Sequence, residues 1–504
     1  MAETVPTHVG TAIIGTGFGG VGAAIRLKEA GDDDFLLFER GSEVGGTWQA
    51  NTYPGAQCDI PSALYSFSFA PNPDWTRLYP LQSEIKAYIA RCVDDAAIRP
   101  HIRFHHDVTA ADWDDLAQVW RISAAGRSFT AKVLIAAMGP FSEPSIPKLT
   151  GLEDFSGPAF HSAQWRHDVD LRGRAVGVIG TGASAVQFVP RIQPEASKLV
   201  LFQRTPTWIL PHPDRPISPA VRRLFRRAPI VQRLLRSLIG LSQEALVPGL
   251  VYRPALVRPM GLAGKWHLRR QVADRTLRAK LMPQYAFGCK RPTFSNAYYP
   301  ALTADNTTVE TSGIRRVTAD GIETADGTHH RLDAIVFGTG FTIGDNEAFT
   351  RIRGRDGRSL AEVWAGGEMK AHLGTTISGF PNFFMILGPN SVVYTSQVVT
   401  IEAQVDFIVD AVTTMRQRAI RSIDVTEAVQ QDFVDTVDRR LATSVWNTGG
   451  CRSYYLSAAG RNVTFWPGFV FTFTRRMRRI DLKEFDIRYA PSRPVDAMAQ
   501  VASR

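Results

Sequence analysis

GTGFGG, at residues 15–20, and GTGASA, at residues 180–185, are the two stretches that decide the fold of this 504-residue chain. The apolar run HVGTAII precedes the first turn, VGAAIRLKEAG follows it with helical periodicity, and DDFLLFE reads as a second strand. A glycine triplet alone is weak evidence, but this strand-turn-helix-strand context is typical of a pyrophosphate site at a helix N-terminus. RAVGVI, SAVQFVPRI and KLVLFQR repeat the order around the second turn. We therefore predict an α/β fold with two Rossmann-like dinucleotide-binding domains.

The first turn supplies four candidate contacts to a nucleotide. Gly15 allows the tight turn, Gly17 lets the backbone approach phosphate, and Gly20 lets the helix pack on the strand. Glu39 ends the following strand, where its carboxylate can accept hydrogen bonds from both ribose hydroxyls. The alternative is an ordinary tight turn between a strand and a helix.

The second unit differs from the first at the end of its last strand. Arg204 and Thr205 stand where the first unit has Glu39, so a ribose 2′-phosphate meets a cation and a hydroxyl there instead of a carboxylate. This difference favours NADP over NAD, unless Arg204 only solvates the strand end. Further candidate contacts in the turn and its helix are Gly180, Thr181, Gly182, Ser184 and Gln187.

Composition and cysteine spacing restrict the class of protein. Hydrophobic residues make up 44% of the chain and charged residues 21%, as in ordinary globular proteins. The N-terminus lacks a signal-peptide pattern and no uncharged apolar run reaches about 18 residues, which predicts a cytoplasmic protein. The four cysteines are far apart, with no CxxC pair. This spacing favours a reducing compartment and argues against structural zinc, any other metal site, and a disulfide reductase with a close cysteine pair.

Positive charge is concentrated in one part of the chain. The net charge is +10, yet residues 211–280 hold fifteen Lys or Arg against three acidic residues, a local excess of twelve. The run VRRLFRRAPIVQRLLRSLIGL places cations on one side and Leu, Ile and Val on the other, as in one amphipathic helix. A solvated basic face and a peripheral membrane contact both fit this pattern. Nucleic-acid binding fits poorly, because no zinc-finger spacing or RNA-binding aromatic signature accompanies the charge.

The order of these patterns predicts a domain organisation. We assign residues 1–150 and 345–504 to the first nucleotide domain and residues 151–212 and 283–344 to the second nucleotide domain. Residues 213–282 form a basic helical insertion, because strand-like patterns resume only at TTVETSGIRRV and RLDAIVFGTGF.

A third motif lies between the nucleotide units. FSGPAFHSAQW, residues 155–165, resembles the fingerprint of the Baeyer–Villiger monooxygenases, with Phe155, Gly157, His161 and Trp165 in matching positions. The family usually has Pro or Asp after the tryptophan, whereas this chain has Arg166.

Other segments extend the resemblance over essentially the whole chain. GGTWQANTYPGAQCD, residues 45–59, is similar to the flavin-side loop of the family. GCKRP, FGTGF, GFPNFFMILGPN, GGCRSYYL and GRNVTFWPG are similar to further family segments. Tyr454 stands where the family commonly has a tryptophan near the cofactor.

The resemblance implies a class B flavoprotein monooxygenase that uses FAD and NADPH. In this family a flavin C4a-peroxide attacks a ketone carbonyl, and a carbon group migrates to oxygen to give an ester or lactone. By position, Arg291 is the catalytic cation and Asp59 the carboxylate that orients it. Lys290 joins Arg204 and Thr205 at the 2′-phosphate. Surface ion pairing of Arg291 and Asp59, and a solvated Lys290, are the plainer alternatives.

The remaining aromatic and histidine candidates have less specific roles. His161 and Trp165 form either a latch between the nucleotide domains or a buried structural pair. Trp48 and Tyr65 line the flavin pocket or pack as core aromatics. Trp446, Tyr454 and Trp466 are pocket or packing residues.

Two other functions remain open from the sequence. One is a flavin monooxygenase that oxidises nitrogen or sulfur, which needs no arginine beside the oxidant. The other is a catalytically idle flavin-binding or membrane-associated scaffold. The expected partners are a small ketone and O₂, without nucleic acid, and the oligomeric state is open.

Overall fold

The computed structural model describes residues 7–344 and 346–490. The ends of the predicted first domain, at 1–6 and 491–504, and its boundary residue 345 lie outside these ranges. The strands are β1 (His8–Ile14), β2 (Phe35–Phe38), β3 (Ile102–Arg103), β4 (Val108–Asp114), β5 (Val119–Ala124), β6 (Arg127–Ala136), β7 (Ala159–His161), β8 (Ala175–Ile179), β9 (Lys198–Phe202), β10 (Ile209–Leu210), β11 (Thr293–Phe294), β12 (Thr307–Glu310), β13 (Ile314–Thr318), β14 (Gly321–Thr324), β15 (His329–Arg331), β16 (Ala334–Phe337), β17 (Ile352–Arg353), β18 (Phe383–Met385), β19 (Ile420–Val425) and β20 (Phe485–Tyr489).

Helices occupy much of the rest of the described chain. The α-helices are α1 (Phe18–Glu29), α2 (Thr47–Ala50), α3 (Gln82–Asp95), α4 (Ala183–Ile192), α5 (Pro219–Arg227), α6 (Pro229–Glu244), α7 (Arg258–Gln271), α8 (Arg275–Lys280), α9 (Tyr298–Leu302), α10 (Leu360–Val363), α11 (Gln397–Gln417), α12 (Glu427–Leu441), α13 (Val445–Thr448) and α14 (Val470–Arg476). Shorter helical turns lie at Arg99–His101, Leu152–Asp154, Ser162–Gln164, Pro248–Tyr252, Pro254–Val257, Glu347–Arg351, Ala365–Gly367 and Leu482–Glu484.

The first sheet is built around the first nucleotide turn. Its strand order is β17-β4-β5-β6-β1-β2-β3, and β18 pairs with the end of β6. β1 runs parallel to both β2 and β6, and side chains alternate across it, with Ile13 in one core and Ala12 in the other. β17 and β18 come from beyond residue 345, so the late part of the chain returns to the first sheet, as the sequence predicts.

The second sheet surrounds the second turn and is wholly parallel. Its order is β12-β9-β8-β16-β7, which is drawn from residues 159–337. Val176 and Val178 of β8 enter one core, and Ile179 enters the other. Such strands are buried on both faces, which explains their continuous apolar sequences. Both predicted strand-turn-helix-strand units are therefore present, whereas the exact domain boundaries stay a prediction.

The basic insertion is helical, but it is not one helix. α5 ends at Arg227 and α6 begins at Pro229, with Ala228 between them in a non-helical conformation (φ −133°, ψ 74°). Proline lacks an amide hydrogen and restricts the residue before it to extended conformations. The predicted single amphipathic helix was therefore wrong at this point.

The cysteine prediction also needs correction. A disulfide joins Cys289 to Cys451, across a sequence separation of 162 residues, whereas Cys58 and Cys92 are free and buried. Spacing along the sequence carried no information on this pair, because the fold brings the segment after α13 back against residue 289. Cys289 and Cys451 therefore do not support the inference of a reducing compartment.

Candidate functional site

The first nucleotide turn has the geometry that the sequence predicts. Gly15 has φ +101°, and a Cβ there would lie 2.7 Å from the Ala137 carbonyl oxygen. A Cβ on Gly20 would lie 1.9 Å from the Gly15 oxygen, so only glycine fits. Gly17 caps α1 without a side-chain hydrogen bond, which leaves N–H groups of the first helical turn available to an anion.

Glu39 lies beside this turn and is already fixed there. Its Oε2 accepts hydrogen bonds from the Thr16 amide at 3.2 Å and the Thr16 hydroxyl at 2.5 Å, and its Oε1 accepts from the Gly41 amide at 2.8 Å. These contacts hold the carboxylate at the end of β2, where a ribose hydroxyl would be recognised.

A cavity of about 340 Å³ opens beside the turn. Trp48 and Tyr65 line it, and the Trp48 indole N–H donates to the Tyr65 hydroxyl oxygen at 3.0 Å. Burial raises the pKa of the Tyr65 hydroxyl well above its usual value, so that group stays neutral. Other lining residues are Ile14 to Gly19, Phe38 to Gly41, Gly45 to Thr47, Met138 to Glu143 and Gln397. The glycine cradle, the fixed carboxylate and the aromatic wall fit FAD.

The second turn repeats the backbone geometry. Gly180 has φ +108°, and a Cβ there would lie 2.4 Å from the Gly338 carbonyl oxygen. Gly182 caps α4 without a side-chain hydrogen bond. The Thr181 hydroxyl donates to the Thr205 carbonyl at 2.7 Å, which ties the turn to the end of β9.

Two cations stand at the end of β9. Arg204 is exposed, and Lys290 is half-buried with its ammonium 5.3 Å from the Tyr285 ring centre. Burial, and secondarily the charge of Arg204, lowers the pKa of Lys290. Because two like charges face each other here, an added phosphate would relieve their repulsion. This pair fits the 2′-phosphate of NADP.

Gln187 and Ser184 lie in the first half of α4, and both contact Tyr53 of the flavin-side loop. The Gln187 oxygen accepts from the Tyr53 hydroxyl at 2.9 Å, and its Nε2 donates to the Gln57 carbonyl at 2.8 Å. The Gln187 amide thus fastens the loop to the second nucleotide unit, a role that the sequence alone did not reveal.

Arg291 and Asp59 form an ion pair, with Arg291 Nε 2.5 Å from Asp59 Oδ2. Their side chains are 36% and 32% exposed, so the pair is accessible to a ligand. Burial alone would lower the pKa of Arg291, but the Asp59 carboxylate raises it, so the guanidinium stays charged. The Arg291 amide donates to the Tyr455 hydroxyl oxygen at 3.2 Å, and its guanidinium lies 5.9 Å from the Tyr394 ring centre. Sequence reasoning missed Tyr394 and Tyr455, although both lie in or beside segments that resemble the family.

The fingerprint histidine lies against the connections between the two sheets. His161 is fully buried, and its ring lies 5.8 Å from that of Phe341. Residues 143–145 and 340–342, from the two connections, run antiparallel and share backbone hydrogen bonds. Burial lowers the pKa of His161 to about 4, while the Gly340 backbone opposes this shift, so His161 is neutral at pH 7.

The rest of the fingerprint packs around the second sheet. A Cβ on Gly157 would lie 2.4 Å from the Asp333 oxygen and 2.8 Å from the Phe155 ring. Trp165 contacts Phe188 of α4, with 5.5 Å between ring centres. Arg166 is exposed and pairs with its neighbour Asp168, so the departure from the family pattern lies on the surface.

The three late aromatics have different environments. Trp446 is buried and stacks on Phe465 with ring centres 3.9 Å apart, and Trp466 packs against the first core and donates to the Thr472 hydroxyl. Tyr454 is 48% exposed and contacts the Tyr455 ring. Trp446 and Trp466 are therefore packing residues, and only Tyr454 remains open to a ligand.

Comparisons with known proteins agree with this geometry. Residues 12–234, which contain both nucleotide turns, match the family model described as pyridine nucleotide-disulphide oxidoreductase. Both cysteines in that stretch, Cys58 and Cys92, are free. A Baeyer-Villiger monooxygenase of Pseudomonas aeruginosa is 45% identical and covers 96% of this chain and 92% of its own length. One of Streptomyces coelicolor is also 45% identical, covering 97% of this chain and 95% of its own length.

Solved structures extend the comparison to cofactor-bound enzymes. A closed cyclohexanone monooxygenase superposes with a TM-score of 0.85 at 28% identity, covering 96% of this chain and 100% of that chain. A steroid monooxygenase bound to NADP gives 0.85 at 30% identity with the same coverage. The OTEMO complex with FAD and NADP gives 0.86 at 26% identity, again with the same coverage. The α/β fold with two dinucleotide-binding domains is confirmed, and the chain belongs to the Baeyer–Villiger monooxygenases, as an NADPH-dependent flavoprotein monooxygenase with FAD as its second cofactor.

Proposed function

We propose that this enzyme inserts one oxygen atom from O₂ beside the carbonyl of a ketone and releases an ester or lactone. The ion pair of Arg291 with Asp59 carries the proposal. Asp59 ends the loop whose beginning lines the flavin cavity, and Arg291 follows Lys290, which faces Arg204. The ion pair thus connects the flavin-side loop, through Asp59, with the segment that carries Lys290, through Arg291.

Arg291 is the proposed catalytic cation. Bound FAD, reduced by hydride from NADPH, supplies with O₂ the oxygen atom that is transferred. Negative charge develops on the ketone oxygen when it is attacked, and a fixed guanidinium lowers the free energy of that transition state. Arg291 donates a hydrogen bond from Nε to Asp59. The two terminal nitrogens of the guanidinium are not used by this ion pair and can face the reacting carbonyl.

The cofactor contacts are proposed from the same geometry. Gly15, Gly17 and Gly20 with Glu39 hold the adenosine diphosphate half of FAD, and Trp48 and Tyr65 wall the flavin cavity. The second turn, at Gly180, Thr181, Gly182 and Ser184, holds the pyrophosphate of NADPH, and Arg204, Thr205 and Lys290 hold its 2′-phosphate.

His161 is proposed as a positioning residue. Being neutral and buried against Phe341, it supports the paired connections between the sheets and performs no proton transfer near pH 7. Together with Trp165 and Gln187 it keeps the two nucleotide sites in register.

Product analysis tests the proposed reaction. Purified, FAD-loaded protein is given NADPH, O₂ and a panel of linear, cyclic, aromatic and steroidal ketones, and products are identified by mass spectrometry. Cyclic and steroidal ketones come first, because a cyclohexanone and a steroid monooxygenase are similar to this chain. We expect a product one oxygen atom heavier than its ketone.

Sulfides and amines in the same panel separate the alternative oxidation. Oxygenation of sulfides and amines with no ester from any ketone would contradict the proposal and favour the nitrogen or sulfur oxidase. The Arg291–Asp59 pair favours the ketone reaction, because an electrophilic oxidant has no use for a cation at the acceptor.

A further inference from the structure

Helix α6 presents an apolar stripe to solvent, while its inward side carries Gln232 and Arg236 beside Ile239. Ile230, Leu234, Leu238 and Leu241 are 58%, 58%, 64% and 65% exposed. At 100° per residue these four positions fall within about 80° of one another. They form a continuous apolar stripe about 17 Å long, from the helical rise of 1.5 Å per residue. Most surface helices have the opposite arrangement.

The inward side of α6 is held by polar contacts. Gln232 is 4% exposed and donates to the Asn72 carbonyl at 2.6 Å. Arg236, one turn later, donates to the carbonyl oxygens of residues 63, 64 and 66 and pairs with Glu402 at 3.0 Å. These bonds fix the orientation of the helix, so the apolar stripe is a stable feature of the surface.

The stripe continues at the end of α6. The Phe471 amide donates to Glu244 at 3.1 Å, which brings this residue of α14 next to the last turn of α6. Phe471 is 61% exposed and stacks on Phe469, with ring centres 5.4 Å apart. We name Ile230, Leu234, Leu238, Leu241 and Phe471 the apolar ridge.

Arginines are frequent on α5, α6 and α14 and just after α14, the segments that carry or adjoin the ridge. Arg226, Arg236 and Arg476 pair with acidic residues. The exposed arginines around the ridge without such a partner among residues 7–344 and 346–490 are Arg223, Arg227, Arg233, Arg475, Arg478 and Arg479. Arg475, Arg478 and Arg479 also line a shallow surface depression together with Phe471. The ridge therefore carries unbalanced positive charge along its borders.

We propose that the apolar ridge docks on an anionic lipid bilayer, with α6 lying in the plane of the membrane surface. Leucine, isoleucine and phenylalanine enter the boundary between headgroups and acyl chains, and the bordering arginines meet lipid phosphates. The positive charge favours an anionic bilayer over a second copy of this chain, because a two-fold contact between copies would place these arginines against one another.

A transmembrane orientation does not fit the contacts. Within the described residues, one helical stretch, Pro229–Tyr252, is long and apolar enough to cross a membrane by length and composition. However, Gln232 and Arg236 tie its other side to the first domain. The helix can therefore present only one face to lipid.

The surface lies close to the flavin cavity. The carbonyls that Arg236 holds flank Tyr65, which lines that cavity. In a membrane-docked enzyme, α6 would thus lie between the bilayer and the segment that carries Tyr65. The docking itself does not depend on the proposed reaction.

Vesicle flotation with the FAD-loaded, full-length enzyme tests the docking. We expect binding to phosphatidylcholine vesicles that contain about 30 mol% phosphatidylglycerol, release by high salt, and little binding to pure phosphatidylcholine. Leu238→Gln should weaken the partition coefficient about fivefold, and Leu234→Gln, Leu238→Gln and Leu241→Gln together about 100-fold.

Leu116→Gln is the matched control. Leu116 is 95% exposed in the turn between β4 and β5, so this variant should bind vesicles like the wild type. Unchanged NADPH oxidation in vesicle-free buffer would show that the ridge variants are folded. Equal binding by the triple variant and the wild type would overturn the proposal. So would a dimer in sedimentation that the triple variant loses, without any binding to vesicles.

Discussion

Replacing Arg291 with glutamine tests the proposed catalytic cation most directly. Arg291→Gln keeps a side chain of similar reach and a donor towards Asp59, but it removes the positive charge. A guanidinium about 4 Å from a full negative charge contributes about 4 kcal/mol at an effective dielectric constant of about 20. Since 36% of the Arg291 side chain is exposed, screening reduces this to about 3 kcal/mol. The rate of ester formation should therefore fall about 100-fold.

The assay separates oxygen transfer from flavin reduction. Anaerobic stopped-flow absorbance follows reduction of the bound flavin by NADPH, which should change less than about threefold, because hydride transfer creates no charge on the ketone. Gas chromatography with mass spectrometry then quantifies the ester in aerobic turnover. Flavin content is measured first, so that a loss of FAD is not read as a loss of catalysis.

Arg166→Gln is the control for this experiment. Arg166 also pairs with an aspartate, Asp168, but their side chains are 53% and 65% exposed on the surface. This variant should stay within about twofold of the wild type in both assays. If Arg291→Gln also stayed within about twofold in ester formation, Arg291 would not be the catalytic cation. An equal loss in both assays would instead assign Arg291 to NADPH placement.

Three further predictions concern the cofactor, the disulfide and the buried histidine. Arg204→Gln should raise KM for NADPH about 10- to 100-fold and leave that for NADH within about twofold, since it removes a charged hydrogen bond to phosphate; equal changes in both would contradict the 2′-phosphate assignment. Thiol labelling of the denatured protein should count two thiols before reduction and four after, because only Cys289 and Cys451 are joined; four before reduction would contradict the disulfide. The pKa of His161 falls to about 4, below its unfolded value, so its contribution to stability is present above about pH 6.5 and is lost towards pH 4. His161→Gln should remove about 2 kcal/mol of the loss in unfolding free energy between pH 7 and pH 5, measured by urea denaturation; an unchanged pH dependence would show that His161 does not titrate in this way.

The nucleotide units were predictable because their signals are local. A turn such as that at Gly15 requires positive φ, and the strand before it and helix after it follow from the periodicity of a few neighbouring residues. The end of the strand also places Glu39 beside the turn in one unit and Arg204 in the other. These residues needed no knowledge of distant segments.

The surroundings of Arg291 were not predictable in the same way. Asp59, Tyr394 and Tyr455 reach it from segments that lie far apart in the sequence. Asp59 was found only through the family resemblance, and nothing in the spacing pointed to Tyr394. The Cys289–Cys451 disulfide was missed for the same reason, since pairing depends on the path of the chain between the two residues.

The basic insertion shows a subtler limit of sequence patterns. Periodicity can establish that a helix has a polar and an apolar side, but it does not say which side is buried. In α6 the free energy is decided by groups outside the helix, because Arg236 finds Glu402 and three backbone carbonyls that need a donor. A buried cation with several partners can outweigh the exposure of leucines that a bilayer can cover. The inward polar contacts of α6 therefore account for its exposed apolar stripe, and the proposed membrane contact would cover that stripe.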